Sequence, residues 1–546
     1  MSSTLYRHGV VYSPDNPHAT AILVDGDTIA WLGSDDAAAG FAADAVVDLD
    51  GALVTPGFVD AHVHLLETAL TLDGLDLSAA GGVEHLAGAL DAVRRAALPR
   101  RSGAGDDDGP LLGFGWDEHD WPERRRPTLA ELDAAAGGAP AYLARVDVHS
   151  ALVTSSFAAR AGLRSLPGWH DDGWVTGAAH EAARDEARRF APARRTALYR
   201  RVLRCAAARG VVAVHEMSAP FVDTRAGLLE LLTTTADAAS GLPLVIGYRG
   251  EPCVTADDAR GLLAAIPGLT GIGGDLDVDG SLGSRTAALR APYTDEPGAR
   301  GRLYLTAEQV ANHVAAVTRA GVHAAFHVIG DRAMDEVLLG MQAAADVEGA
   351  GPVIAAGHRL EHAEMVDAIA LAQLVLLGTR VSAQPAFDAA WGGPRRLYAA
   401  RLGPVRATGL NPLADLAAAG VPLAFGSDAP VTPIDPWAGV RAAVRHTAPD
   451  QRISGRAAFL AATRGGWRLA GLDGSGAGEL RVGAPAHLAL WRAPALTVEL
   501  GRGRWSAWRA AAPTGTLPLP DLSPDAEPPV CLRTVRSGVT IFDALA

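Results

Sequence analysis

Eight apolar segments, most of them separated by alanine-rich stretches with helical character, constrain the fold of this chain most strongly. Helical stretches such as AEQVANHVAAVTRAG and ADLAAAG precede the fifth and the eighth of these segments. Strands that alternate with helices form a parallel sheet, and eight such units indicate a closed barrel. The predicted buried strands are Val54–Val63, Val211–Met217, Leu244–Arg249, Asp275–Gly280, Val322–Ile329, Arg359–Glu364, Thr379–Gln384 and Leu423–Asp428.

The length of the chain leaves room for a second, smaller domain. A TIM-type barrel takes roughly 250 residues, and more when its loops carry insertions, whereas this chain has 546. Short alternating segments with turn signals occupy the first 50 residues and return at the end, for example in CLRTVRSGVTIFD. We therefore predict an α/β fold, with a TIM-type (β/α)8 barrel over 55–475 and a small β-sandwich domain formed by 1–54 and 476–546.

An insertion is predicted between the first two barrel strands. About 145 residues separate them, which is too long for an ordinary βα loop. This span contains the polar stretch RRSGAGDDDGP and the aromatic cluster GFGWDEHDWPE. We interpret residues 67–208 as an insertion that forms a lid over the barrel mouth.

Composition excludes several classes of function. The formal net charge of −14 argues against a nucleic-acid partner, which would need a basic surface. The three cysteines, Cys205, Cys253 and Cys531, are far apart and include no CxxC pair, so neither a disulfide framework nor a cysteine zinc site is expected. No apolar run is long enough to span a membrane and no secretory signal is evident. We expect a cytoplasmic protein without a membrane partner, and leave a homo-oligomer open.

The motif PGFVDAHVH carries the clearest chemical signal. It ends an apolar strand with His62 and His64, and side chains two residues apart lie on the same face of a strand. TIM-barrel active sites lie at the carboxyl ends of the strands. Two neutral imidazoles at that position are typical of a metal site, with zinc as a natural occupant.

Three more polar residues end predicted barrel strands. His327 lies in AAFHVIGDRA, His362 in HRLEHAEM and Asp428 in LAFGSDAPV. A histidine of this kind is more often a hydrogen-bonded core residue, and Asp428 could form a turn or a helix cap. Their shared position favours metal binding instead, and a carboxylate there could also take a proton from an attacking water.

Several ordered segments resemble the amidohydrolase superfamily, in particular the branch of N-substituted formamide deformylases and YtcJ-like hydrolases. They run from about residue 50 to 475, and the terminal β-domain also fits. The segments are TPGFVDAHVHL, GFGWDEHDWPERRRPTLAELD, DGSLGSRTAALRAPYTDEPGARG, FHVIGDRAMDE, HRLEHAEM, SAQP, GSDAPVTPIDPW and AAFLAATRGGWRLAG.

The resemblance implies a role for each matching residue. His62 and His64 would hold the more buried metal together with Asp428. His327 and His362 would hold a second metal, or one of them would position the substrate. Asp428 and His362 are accordingly the candidate catalytic residues.

Candidate substrate-binding residues lie outside the ligand set. The resemblance places His149 and Arg285 near the substrate, although each could equally be a surface or ion-pair residue. The aromatic side chain of Trp116 indicates an apolar or aromatic group in the pocket, with ordinary packing as the alternative.

The chain departs from the family at the fourth strand. Relatives often carry there a carboxylated lysine that bridges two metals, and this chain has Asp275. In the predicted strand Asp275, Asp277 and Asp279 share one face, so a cation, a nearby arginine such as Arg285 or bound protons must neutralise them. We include Asp275 among the metal ligands and predict one tightly bound divalent ion, zinc or similar, with a second site weak or empty.

The predicted activity is hydrolysis of a non-peptide C–N bond in a small amide, formamide or cyclic amide. Ester hydrolysis and decarboxylation would use the same metal site, because a barrel does not determine the reaction. A non-catalytic barrel scaffold is the third alternative, and the presence of all five common ligand positions argues against it.

Overall fold

A computed structural model describes residues 2–79, 81–101, 109–118, 121–146, 148, 150–499, 505–507 and 517–545. The chain folds into two compact units. The first comprises Met1–His64 and Leu203–Ala546, and the second comprises Leu65–Val202. None of the described helices combines the length and apolar composition needed to cross a membrane.

An eight-stranded parallel sheet forms the centre of the first unit. Its edges meet where the backbone N–H of Asp428 donates to the carbonyl of His62 (2.8 Å) and the N–H of His64 donates to Ala429 (3.0 Å). These bonds close the sheet, which confirms the TIM-type barrel. In chain order the strands are Phe58–Val63, Val211–Ser218, Leu244–Arg249, Gly271–Ile272, His323–Val328, Arg359–His362, Arg380–Ala383 and Leu423–Phe425.

The barrel helices form where apolar residues recur at helical spacing. In Ala307–Ala320, Thr306 and Gln309 form a capping box and Gly321 ends the helix at φ 81°, so both ends are satisfied locally. The buried face of this helix includes Val310, Val314 and Val317. The other helices after the second strand are Arg225–Ala236, Ala256–Ala265, Asp331–Glu348, Ala350–Ala356, Ala368–Leu376, Pro385–Trp391, Leu397–Leu402, Pro404–Ala407, Leu413–Ala418, Pro436–Val444, Gly455–Ala462 and Arg464–Leu469.

Both ends of the chain build a small β-domain, as predicted. One sheet has the order Thr28–Gly33, Ala21–Asp25, Ser3–Arg7, Ala45–Asp48; the other has Val10–Val11, Leu53–Pro56, Leu488–Arg492, Val530–Arg536, Val539–Asp543. Side chains such as Ile22, Val24, Val54, Leu488 and Val535 form one buried cluster. The remaining described strands at this end of the chain are Leu496–Glu499, Trp505–Ala507 and Leu519–Pro520, and a short helix spans Asp35–Ala38.

The fourth barrel strand differs from the prediction. The strand is Gly271–Ile272, and the predicted segment Asp275–Gly280 is irregular. Gly273 (φ 132°) and Gly274 (φ 92°) interrupt the strand, and the chain pairs again with the fifth strand only at a single bridge between Asp277 and His327. A Cβ on Gly273 would lie 1.8 Å from the carbonyl oxygen of Ala325, so only glycine allows this close approach.

The first predicted strand is divided in two. Leu53–Pro56 pairs within the β-domain and Phe58–Val63 within the barrel. Gly57 lies between them because a Cβ there would be 2.3 Å from the Val212 side chain. The apolar run predicted as one strand therefore serves two sheets.

The second unit has a sheet of its own. Its strands are Leu75–Asp76, Leu111–Trp116, Ala141–Arg145, Ala151–Val153 and Trp174–Val175, and its helices are Leu65–Asp73, Leu86–Arg101, Leu129–Ala136, Ser155–Arg160, Gly177–Ala187 and the start of Pro192–Ala207. This unit spans nearly the same residues as the predicted insertion 67–208. Its role as a lid stays a prediction.

Candidate metal centre

Imidazole and carboxylate groups converge where the first barrel strand meets the segment after the eighth. Asp428 Oδ1 lies 3.3 Å from His62 Nε2 and 3.0 Å from His64 Nε2. The Asp275 oxygens lie 3.6 Å from His62 Nε2 and 3.4 Å from His64 Nε2. The His362 ring is 5.0 Å from that of His62. Ligand atoms of His62, His362 and Asp428, and those of His62, His64 and Asp275, form two groups within 4.8 Å.

The first two histidines present the same ring nitrogen to this space. His62 Nδ1 is 2.9 Å from Glu361 Oε2, and His64 Nδ1 is 3.1 Å from the carbonyl oxygen of Met217. Both partners are acceptors, so each Nδ1 carries a proton, and each Nε2 can donate an electron pair to a metal once it has lost its own proton. Such outer partners hold metal-binding imidazoles in one tautomer and orientation.

A buried ion pair with Arg359 holds Glu361 in place. Arg359 Nε lies 2.7 Å from Glu361 Oε1, and its Nη2 donates to Oε2 at 2.8 Å. Arg359 also contacts His215 Nδ1 at 2.9 Å and lies over the Tyr248 ring at 4.7 Å. Sequence reasoning missed this group. The available signal was that Arg359 and Glu361 are two residues apart on a barrel strand and so share one face.

Unusual backbone conformations orient two of the predicted ligands. His362 has φ 69° and Asp428 has φ 54°, which is costly for residues with a Cβ. Successive residues of a strand normally face opposite sides, yet Glu361 and His362 both approach His62. The left-handed turn at His362 breaks the alternation, so one strand contributes two adjacent side chains to the interior.

His327 lies on the far side of His362. Their ring centroids are 4.5 Å apart, and His327 Nδ1 lies 3.8 Å from Asp279 Oδ1. The structure thus brings all six predicted ligands to one end of the barrel: His62, His64, His327, His362, Asp428 and Asp275.

The three carboxylates after the fourth strand have different environments rather than sharing one strand face. Asp275 faces His62 and His64, whereas Asp279 accepts backbone hydrogen bonds from Ala288, Ile329 and Gly330 at 2.8–3.0 Å. Burial raises the pKa of Asp277 to about 6 and that of Asp279 likewise to about 6. The neutralising role considered for Arg285 is not observed, because its guanidinium binds Asp295 and Glu296.

Neighbouring charges and burial set the protonation states of the site in the absence of a metal. Burial alone would lower the pKa of His64, but Asp275 and Asp428 outweigh it and raise that pKa to about 9. Burial likewise opposes ionisation of Asp428, yet His62 and His64 hold its pKa well below the ordinary range. Burial together with His327 lowers the pKa of His362, so this imidazole is neutral. Binding of a divalent metal at these residues would therefore release protons from His62 and His64.

The donor set fits a divalent metal. Within the described part of the chain, the buried atoms His362 Nδ1 and Asp275 Oδ1 have no hydrogen-bond partner. Buried polar atoms are seldom left unsatisfied, and a cation would satisfy both. Imidazole nitrogen and carboxylate oxygen are ligands that zinc and similar ions accept.

The predicted substrate-binding residues are less clearly placed. His149 lies outside the described residues. Trp116 is 1% exposed in the core of the second unit, and its indole N–H donates to Leu143 at 2.9 Å, which gives it a packing role. Arg285 forms the ion pairs described above, so its predicted contact with substrate stays a prediction.

A cleft of about 700 Å³ lies away from this cluster. It is lined by Pro422 and Leu423 at the start of the eighth strand, and by Arg456 and Arg464. The amino-terminal end of a TIM barrel is the stability face. We therefore locate the candidate site at the histidine cluster rather than in this cleft.

Comparisons with known proteins agree with this geometry. Residues 45–503 match the amidohydrolase family. The chain is 27% identical over 510 residues to Protein LONG AFTER FAR-RED 3 of Arabidopsis thaliana, covering 87% of this chain and 84% of that protein. It is 27% identical over 419 residues to the putative amidohydrolase YtcJ of Bacillus subtilis, covering 73% and 74%. An uncharacterized metal-dependent hydrolase from Pyrococcus furiosus superposes with a TM-score of 0.70 at 25% identity, covering 89% and 98%.

Proposed function

Because the chain belongs to the amidohydrolase family, we propose that it hydrolyses a non-peptide C–N bond in a small amide, formamide or cyclic amide. One observation carries this proposal. At one end of the barrel, Asp428 Oδ1 lies within 3.3 Å of the Nε2 atoms of both His62 and His64. The relative YtcJ of Bacillus subtilis is named as a putative amidohydrolase, which supports the same bond class.

The residues of the site would hold zinc or a similar divalent ion. Such an ion acts as a Lewis acid, which lowers the pKa of water and polarises a carbonyl group. His62 and His64 would bind it through Nε2. Both oxygens of Asp275 face this pair, so we propose that Asp275 binds the same ion and that one ion is held tightly.

Asp428 is the proposed proton carrier. Its low pKa keeps the carboxylate ionised at neutral pH, so it can take a proton from water and pass it to the leaving nitrogen. His362 is neutral and has an unpartnered Nδ1 in the described structure. It would bind a second, weaker ion or position the substrate carbonyl.

Removal of the metal tests the proposal. We expect a chelator to abolish hydrolysis of N-substituted formamides, amides and lactams, and added zinc to restore it. Metal analysis after dialysis should give one equivalent per chain. Full activity of metal-free protein would contradict the mechanism, and two equivalents that survive dialysis would contradict the single tight ion.

The same panel separates the alternatives. Turnover of esters or release of carbon dioxide, without turnover of any amide, would replace C–N hydrolysis by another reaction of this site. Bound metal without any turnover would favour a scaffold.

A further inference from the structure

Gln384 occupies a position that neither the metal ligands nor the packing of the barrel explains. It follows the seventh strand, Arg380–Ala383. Two residues earlier, the fully buried Ser382 donates to the carbonyl of Ala61 in the first strand at 3.4 Å, so it faces the barrel interior. Side chains repeat their direction every two residues. Gln384 therefore points inward as well, one layer closer to the carboxyl end.

The amide of Gln384 is buried without a hydrogen-bond partner. The residue is 1% exposed, and neither Nε2 nor Oε1 forms a hydrogen bond with any described residue. A buried primary amide offers two donors and two acceptor sites, and leaving all of them unused is costly. This side chain indicates a ligand that the polypeptide does not supply.

A second polar group with an unpaired atom follows the neighbouring strand. Glu361 pairs with Ser382 between the sixth and seventh strands, so Glu364 and Gln384 follow adjacent strands at the same end of the barrel. Glu364 is 2% exposed. Its carboxyl group is hydrogen-bonded to Tyr398, whereas its Oε2 has no hydrogen-bond partner in the part of the chain that the structure describes. An unpaired acceptor and an unpaired amide therefore lie at the carboxyl end of neighbouring strands.

Aromatic rings connect this edge to the metal centre. Phe387, one turn into the helix after Gln384, stacks on the His362 ring with centroids 5.9 Å apart and an interplanar angle of 13°. Trp391 contacts Phe387 with centroids 4.9 Å apart. A group bound between Gln384 and Glu364 would thus lie beside a proposed catalytic imidazole and an apolar wall.

The charges nearby favour an uncharged ligand. Glu364 and Asp428 are carboxyl groups, which disfavour an anion. Arg359 is occupied by Glu361, and Arg285 by Asp295 and Glu296. The unused atoms are Nε2 and Oε1 of Gln384 and Oε2 of Glu364, which together offer donors and acceptors, the pattern that an amide or urea group complements.

We propose that Gln384 and Glu364 form a substrate subsite that binds an uncharged amide- or urea-type group through paired donor and acceptor hydrogen bonds. The identity of the ligand as substrate rests on the proposed hydrolase function, whereas its binding can be measured without turnover. Ordered water is the competing occupant, since it could satisfy the same atoms.

Calorimetric titration of the zinc-loaded full-length protein with acetamide and benzamide tests this subsite. We expect both amides to bind, and Gln384→Leu and Gln384→Met to weaken binding at least about tenfold, because partner atoms on the ligand lose their bonds. Zinc content and melting temperature should stay unchanged. Gln342→Leu, on an exposed helix face, is the control and should bind like the unmodified protein.

N,N-dimethylacetamide tests the same subsite in the unmodified protein, and so does not depend on the folding of the Gln384 variants. It retains the carbonyl oxygen but lacks N–H donors, so the unmodified protein should bind it at least about tenfold more weakly than acetamide. Absence of binding by either primary amide would leave water as the occupant and overturn the proposal, as would equal affinity in the folded Gln384 variants. Amide binding without hydrolysis would instead contradict the proposed C–N chemistry and leave the subsite standing.

Discussion

The orientation of His62 depends on a residue that binds no metal itself. Glu361 holds Nδ1 at 2.9 Å, and Arg359 holds Glu361 in turn. All three side chains are fully buried, so the imidazole has little freedom to rotate. Glu361 is therefore a positioning residue for the candidate metal centre.

Glu361→Gln should weaken metal binding about 10–100-fold, the usual effect of losing such a partner. The amide is similar in shape but does not carry the charge that raises the basicity of His62. Chelator competition measures the affinity, and the exposed Glu308→Gln is a matched control. Unchanged affinity would show that Glu361 serves only the packing of Arg359.

Asp428→Asn should reduce turnover about 10²–10⁴-fold, because an amide cannot take the proton. The substitution is nearly isosteric, so the protein should remain folded by circular dichroism. Steady-state rates at saturating metal separate lost catalysis from lost metal. Near-normal turnover would move the proton-carrying role to another group, with His362 as the first candidate.

At the level of elements, the short fourth strand depends on glycine. A Cβ on Gly273 would collide with the Ala325 carbonyl, and φ 132° disfavours any side chain. Gly273→Ala should therefore lower the free energy of unfolding by more than about 2 kcal/mol. Denaturant titration measures this loss.

Gly261→Ala provides the control for that substitution. Gly261 lies in the helix Ala256–Ala265, and a Cβ there would meet nothing within 4 Å. Alanine should stabilise the helix by up to about 1 kcal/mol. Similar effects at the two positions would show that the close approach at Gly273 does not matter.

The pattern of apolar residues predicts the barrel strands well, but it predicts poorly the irregular segments that follow them. Seven of the predicted segments overlap barrel strands, because buried parallel strands are continuous apolar runs. The Asp275–Gly280 segment has the alternation of a strand, yet its carboxylates are held by histidines and backbone N–H groups. Those partners come from distant parts of the chain, so the local pattern could not reveal them.

The same limit applies to the candidate site. Position at the ends of the predicted strands was enough to place five polar residues at the same end of the barrel: His62, His64, His327, His362 and Asp428. The adjacency of Glu361 and His362 on the interior contradicts the two-residue period and depends on a left-handed backbone at His362. The unpaired state of Gln384 is likewise a property of tertiary packing, which sequence alone does not contain.

At the level of the whole molecule, buried neutral histidines should make folding sensitive to acid. Burial lowers the pKa of His313 to about 4 and that of His487 to about 4. Each accepts a backbone N–H at Nδ1, from Cys253 and Ser537 respectively. Protonation would abolish these bonds.

The direction of the pH dependence of stability follows from the ordinary and the lowered pKa of each histidine. Between the ordinary value near 6.5 and the lowered value near 4, the unfolded chain binds protons that the folded chain does not. Each histidine's contribution is fully present above about pH 6.5, and falls by about 1.4 kcal/mol per pH unit as the pH drops towards 4. Denaturation midpoints between pH 7 and 4.5 measure this slope. His313→Gln and His487→Gln should each flatten it, and an unchanged slope in both would contradict the prediction.

The β-domain shared by both ends also sets an order of events during synthesis. Strand Leu53–Pro56 pairs with Leu488–Arg492, and the Thr55 hydroxyl donates to the Ala489 carbonyl across 434 residues of chain. A ribosome releases residues from the amino end first, so Leu53–Pro56 leaves the exit tunnel long before its neighbour exists. Throughout that interval the strand exposes unpaired backbone groups beside the apolar segment that begins the barrel. We expect the nascent chain to bind chaperones that recognise extended apolar segments until the strand Leu488–Arg492 has emerged.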